Sequence, residues 1–164
     1  MHNVRDAAAA DVPALLAIYN DVIATSTAIY MDQSTTFEER LAWWRGRVAA
    51  GYPVLVSEDE SGITGFASFG EFRPRPGYRF TVEHSIYVRA DRRGRGIGNA
   101  LMAPLIERAI SMRKHVMVAG VDAENDASLR FHERLGFERV AHFKEVGFKF
   151  GRWLDLVFLE RRLT

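Results

Sequence analysis

The stretch from Arg79 to Asp122 constrains the fold more than any other part of the chain. It reads RFTVEHSIYV, then RADRRGRGIG, then NALMAPLIERAIS and, after a short turn, HVMVAGV. The first segment is β-branched and aromatic, as strands are. The third places Leu101, Leu105, Ile106 and Ala109 at helical spacing, with Pro104 expected early in that helix, where its missing N–H costs least. The last is a continuous apolar run, which a strand shows when both of its faces are covered. Strand, tight turn, helix and second strand make a crossover unit, for which a right-handed connection and parallel or near-parallel strands are the rule.

The remaining segments extend this unit at both ends. NVRDA reads as an opening strand. Asp11 is placed to cap a helix carrying Leu15, Leu16, Ile18, Tyr19, Val22 and Ile23. Thr36 and Glu39 form a capping-box pattern for a second helix that runs to Gly51. PVLVSE and ITGFASFGE flank DESG as a hairpin, and FRPRPGY follows as a proline-rich loop. DASLRFHERLGF is a helix closed by Gly136, and ERVAHFKEVGF and RWLDLVFLERR supply two final strands. The predicted order is β-α-α-β-β-β-α-β-α-β-β, a mixed α/β (α+β) sheet. No linker or repeat divides it, so residues 1–164 are read as one domain.

The turn at the centre invites an anion. Gly94, Gly96 and Gly98 let the backbone curl so that several N–H groups converge. The following helix N-terminus adds roughly half a positive charge, and Arg93 and Arg95 add charge at the rim. The spacing G-x-G-x-G is neither the dinucleotide fingerprint nor a P-loop. Taken by itself it is equally readable as a charged, flexible turn. The chain has 22 basic and 21 acidic residues, a formal charge of +1, so any site for an anion is local and a broad nucleic-acid surface is not expected.

Two separated motifs carry a family resemblance. RRGRGIG after SIYV, read as Arg93-x-x-Gly96-x-Gly98, resembles the acetyl-CoA pyrophosphate loop of the GCN5-related N-acetyltransferase (GNAT) superfamily. ENDASLRFHERLGF resembles that superfamily's N-x-x-(small)-x-x-x-Y-x-x-x-G-F segment, with Asn125, Ser128, Gly136 and Phe137 matching and His132 where Tyr is usual. YPVLVSE, GFASFGEFR, TVEHSIYV and VGFKFGRWLDLVFL extend the likeness to the phosphinothricin and methionine sulfoximine N-acetyltransferases, over nearly the whole chain. Lys149 and Trp153 match as well, without an assigned role.

The resemblance implies a GNAT-type fold and acetyl-CoA as co-substrate. The pyrophosphate would rest on Arg93, Gly94, Arg95, Gly96, Ile97, Gly98 and Asn99. The pantetheine arm would pair with Ile86, Tyr87 and Val88, and contacts would come from Asn125 and Ser128. Glu83 is implied as the base that deprotonates the amine. The backbone N–H of Val88 is implied as the donor to the thioester oxygen, and His132 as an acid for the departing sulfur. Tyr30, Arg73, Pro74, Arg75, Val82, Glu83 and His84 would surround the acceptor. If the loop is extended, Arg73 and Arg75 point the same way and suit a carboxylate or a phosphorus or sulfur oxyanion. In a regular strand His84 points away from Glu83, unless a bulge intervenes.

Each assignment has a plainer counterpart: Glu83 as an outward-facing carboxylate, His84 as a packed histidine, His132 as a cofactor-contacting or merely capped one, the loop arginines as surface charge, Tyr30 as a core or surface tyrosine. Other readings of the chain are the same cofactor with a protein N-terminus or an aminoglycoside as acceptor, or a non-catalytic nucleotide- or RNA-binding module. The absence of cysteine excludes a thiol nucleophile and Cys-ligated zinc, and no metal is expected. No apolar run is long enough for a membrane span, and the N-terminus lacks a signal-peptide pattern. A cytoplasmic homodimer without membrane or nucleic-acid partners is the expectation.

Overall fold

The computed structural model describes residues 2–164. The elements follow the expected order: β1 (Asn3–Asp6), α1 (Val12–Thr25), α2 (Phe37–Ala49), β2 (Val54–Asp59), β3 (Gly62–Glu71), β4 (Thr81–Val88), α3 (Ile97–Ser111), β5 (Val116–Asp122), α4 (Asp126–Arg134), β6 (Glu138–Lys149) and β7 (Arg152–Arg162). The strands form one mixed sheet in the order β1-β2-β3-β4-β5-β7-β6. All neighbouring pairs are antiparallel except β4 and β5, the two strands of the crossover unit. Among the described residues, no helix is long and apolar enough to cross a membrane.

Side-chain alternation along the strands divides the core into two layers. Leu55, Val82, Met117 and Leu159 pack with Leu101, Met102 and Leu105 of α3 and Leu129 of α4. Val54, Val56 and Phe66 face the other way and meet Leu15 and Ile18 of α1. The capping box of α2 forms as expected: the Thr36 N–H donates to Glu39 Oε2 at 2.8 Å and the Glu39 N–H to Thr36 Oγ1 at 3.2 Å.

Two local expectations are corrected. Asp11 does not cap α1 through its side chain. Its carboxylate instead accepts from the Ala8 N–H and pairs with Arg5, capping the short 3₁₀ turn Ala9–Asp11. The ion pair with β1 outcompetes the local cap. Pro104 is interior to α3, because the helix begins as soon as Gly96 leaves the left-handed region (φ 80°) rather than at Asn99.

Beyond Glu83 the central pair comes apart. β4 pairs with β5 only from Thr81–Val116 to Glu83–Val118, whereas its register with β3 continues unbroken to Gly65–Val88. The second half of β4 therefore has a partner on one side only, and the sheet opens into a V.

Candidate active site

The backbone register decides what faces the V. Arg89 donates its N–H to Thr64 O at 2.8 Å. Alternation along an antiparallel pair then directs the N–H and C=O of Ser85 and Tyr87 toward β3, and those of His84, Ile86 and Val88 away from it. On that side β5 has already splayed away, so the polar groups of Ile86 and Val88 border the opening. The Val88 carbonyl receives only a long contact from Arg93 Nε, 3.4 Å.

Two cavities follow the opening and share Ile86 and Ser128. One, of about 500 Å³, runs along the glycine turn past Val88, Arg93, Gly94, Gly96, Gly98 and Asn99. Gly94 and Gly96 hold φ of 74° and 80°, which residues with a Cβ adopt only with strain. Gly98 is helical and required for another reason: a Cβ there would lie 3.0 Å from the Phe131 ring. No side chain caps α3, and its first intrahelical donor is the Ala100 N–H to Gly96 O at 3.0 Å. The preceding amides are left for a ligand. Arg95 lies off this cavity, with its carbonyl hydrogen-bonded to the His2 ring at 2.7 Å. Arg92, not expected at the site, borders it while paired with Asp59 and Asp91.

The other cavity, about 330 Å³, holds the titratable groups Arg73, Glu83, His84, Tyr87, Asp122 and His132, with Asn125 and Ser128 beside them. Glu83 and His84 do point to opposite faces, and no bulge is present. They reach one cavity because it occupies the gap between strands rather than either face. Burial raises the pKa of Glu83; the positive charges of Arg73 and then Arg47 draw it back down. Arg47 lies on α2, and its Nη1 sits 1.2 Å from where a Cβ on Gly70 would be, so only glycine at Glu83's cross-strand position lets this arginine lie there.

His84 is 7% and His132 3% exposed. Their Nε2 atoms are 3.1 Å apart, and His132 Nδ1 is 2.7 Å from the Ser128 carbonyl. Burial, followed by the neighbouring His132, pushes the pKa of His84 down to about 3. Burial also lowers that of His132, which disfavours the charged form that an acid role there requires. Asn125 Oδ1 accepts the Ser128 N–H at 3.1 Å and so caps α4 at the cavity wall.

Several expected acceptor residues lie elsewhere. Val82 is fully buried in the core. Tyr30 donates its hydroxyl to Asp155 O at 3.0 Å and packs where a Cβ on Gly147 would be, away from the cavity. Pro74 and Arg75 border a separate surface depression. The loop is not extended: Arg75 N–H donates to Arg73 O at 2.8 Å, a three-residue turn, and Arg73 borders that depression as well. Only Arg73 reaches the cavity, stacked 4.3 Å over the Phe72 ring. Ala28, Asp122 and Phe158 complete the walls without any sequence motif having marked them.

The unassigned Lys149 is 1% exposed. Its Nζ donates to the carbonyls of Ile23, Ser26 and Ile29 at 2.7, 2.7 and 2.8 Å. This pins the end of α1 and the loop that brings Ala28 to the cavity. Thr27, in the same loop, hydrogen-bonds to Asp122.

Comparison with known proteins agrees with this geometry. The model of the acetyltransferase (GNAT) family matches residues 15–137. The L-methionine sulfoximine/L-methionine sulfone acetyltransferase of Pseudomonas paraeruginosa is 49% identical over 162 residues, covering 98% of this chain and 94% of its own. An acetyltransferase of Salmonella typhimurium, solved with its cofactor acetyl-CoA, superposes with a TM-score of 0.96 at 46% identity, over 99% of this chain and 94% of that one. A ribosomal-protein-alanine N-acetyltransferase of Brucella melitensis superposes at 0.95 and 46% identity, over 98% and 99%.

Proposed function

Because the chain belongs to the GNAT acetyltransferase family, we propose that it acetylates the α-amino group of a small amino-acid analogue, methionine sulfoximine, methionine sulfone or phosphinothricin, at the expense of acetyl-CoA. The observation that carries this reading is the parting of β4 from β5 after Glu83. It lines up an amide cradle, a free strand edge, a carboxylate and an arginine along one cleft.

The residues present suit the cofactor. The amides ahead of Ala100, with Arg93 at the rim, fit a pyrophosphate. The open backbone groups of Ile86 and Val88 fit an extended amide-bearing arm, as an added strand would. When bound, acetyl-CoA supplies a thioester carbonyl for attack and a thiol as leaving group. The Val88 N–H, a fixed dipole, is the donor for charge developing on the carbonyl oxygen. Glu83 takes the amine's proton: an α-amine of pKa about 8 costs only about 1.4 kcal/mol to neutralise at pH 7. Arg73, from the loop before β4, reads the acceptor's carboxylate or its tetrahedral end.

A protein N-terminus is the second reading, favoured by the Brucella neighbour. The cavity favours the first. It holds about 330 Å³ and is bordered by the Thr27–Asp122 contact, room for an amino acid rather than a peptide.

Acceptor-dependent thiol release decides between them. Methionine sulfoximine should be acetylated with acetyl-CoA, and a ribosomal-protein N-terminal peptide should not; the reverse outcome sinks the proposal. Arg73→Ala should raise KM for the free amino acid more than for its amide. An equal change in both removes Arg73 from carboxylate recognition.

A second copy of the chain is the partner we assign to β6–β7. β6 is an edge strand, and Phe143, Val146, Phe148, Phe150 and Trp153 on this hairpin are exposed. A long apolar edge left bare invites association, and a two-fold contact buries the same patch on both chains. Light scattering should give a dimer that Trp153→Glu converts to monomer; a monomeric native protein rejects the assignment.

A further inference from the structure

The two buried histidines of the cavity determine each other's protonation. His132 Nδ1 lies 2.7 Å from the Ser128 carbonyl, which can only accept, so Nδ1 carries the proton. The neutral ring then has a lone pair on Nε2, and that lone pair faces His84 Nε2 at 3.1 Å. A hydrogen bond there requires His84 to keep its own proton on Nε2. His84 Nδ1 is thereby left as a buried acceptor with no hydrogen bond of good geometry, although the ring lies beside the Ser85 backbone. The Ser128 hydroxyl, 3.4 Å from His132 Nδ1, is too distant to alter this assignment.

We propose that His84 is a positioning residue: its Nε2–H occupies the lone pair of His132, holds that ring as the neutral Nδ1–H tautomer, and so keeps positive charge off the wall that meets the acceptor amine. This rests on reading the cavity as the acceptor site. The acceptor arrives as an ammonium and must come beside Glu83 before giving up its proton. An imidazolium on the same cavity wall would repel it. The charged groups lining the cavity with the pair are Glu83 from β4, Arg73 from the loop before it and Asp122 from the end of β5. The other flanks are Ser128 and Asn125 of α4 and the rings of Phe131 and Phe137, whose centroids lie 5.3 Å from that of His132. A buried acceptor left unpaired is a rare and costly feature. The histidine that carries it lines the cavity, where a leucine would have avoided the cost, and this places its value in function.

Imidazole ¹⁵N NMR of the resting protein tests the lock without any acceptor. Wild type should show His132 as one neutral Nδ1–H tautomer at pH 7, with burial holding its pKa below the ordinary value. His84→Gln keeps an N–H donor and should preserve this state. His84→Leu removes that donor and should raise the pKa of His132 above that of wild type, while burial still holds it below that of a free imidazole. With acceptor present, kcat/KM of His84→Leu should fall more steeply than that of wild type or His84→Gln between pH 8 and pH 5, through KM for the amine. An Nε2–H tautomer in wild type, or unchanged His132 titration in a folded His84→Leu, overturns the lock. Altered titration with an unchanged pH profile overturns its catalytic meaning. If no amine is acetylated by wild type, the functional reading fails and the NMR result stands separately.

Discussion

Glu83→Gln should lower turnover by about 10²-fold or more while leaving the cofactor's affinity almost unchanged. A positioned base contributes about 10²- to 10⁴-fold, and the glutamine keeps the shape while losing the ability to take a proton. In wild type, turnover should rise with pH through the pKa of Glu83, which burial holds above the usual carboxylate range against the pull of Arg73 and Arg47. The same shift has a consequence for folding. A carboxyl whose folded pKa is raised contributes stability that is fully present below the unfolded value and is lost as pH rises through the folded one. At neutral pH the ionised Glu83 therefore burdens the fold. Glu83→Gln should melt higher than wild type at pH 7, with the gap closing toward pH 4. Loss of activity together with a gain in thermal stability marks a functional rather than a structural carboxylate. Unchanged turnover across the pH range would remove Glu83 from the base role. A lower melting temperature at pH 7 would mean that the two arginines outweigh desolvation.

Lys149→Met should be the most destabilising of the changes considered, by about 3 kcal/mol or more. The ammonium has three protons and meets three carbonyls, all at hydrogen-bond distance. Its removal leaves these acceptors in a largely closed site, and each buried orphan costs about 1–3 kcal/mol. Burial draws the pKa of Lys149 down, so the ammonium is held by these three carbonyls, one of them from the last turn of α1. For a chain of this size the expected loss corresponds to a fall of about 6–12 °C in melting temperature. Lys149→Arg should not rescue it, since a planar fork cannot match three converging carbonyls. The loop from Ser26 to Ile29 should loosen with it, raising KM for the acceptor through Ala28 and Thr27. A melting temperature within about 2 °C of wild type would show that the carbonyls find other partners.

Much of the fold was legible in local pattern. The order of elements followed from periodicity, from the capping box at Thr36 and from Gly136 closing α4. Those signals depend on neighbours a few residues away, and tertiary contacts did not override them. Where a distant partner competed, the local reading failed: Asp11 left its helix for Arg5 on β1. The glycine turn was legible too, because Gly94 and Gly96 at positive φ are a backbone requirement and the cradle consists of backbone.

The acceptor side was legible only in part. Glu83 and Arg73 do meet, but Val82, Tyr30 and Arg75 do not join them. Which of the two loop arginines reaches the cavity depended on a turn that sequence spacing does not reveal. The role of Lys149 lay in carbonyls more than a hundred residues away, and that of Arg47 in the missing Cβ of Gly70. The sequence by itself determined the order of elements, the capping box that opens α2, the glycine that closes α4 and the tight glycine turn, since each is a property of a short segment and its backbone. Only the tertiary structure decided which side chains share a cavity: that depends on where β4 parts from β5, and on the burial and long-range partners that then fix the charge on each group.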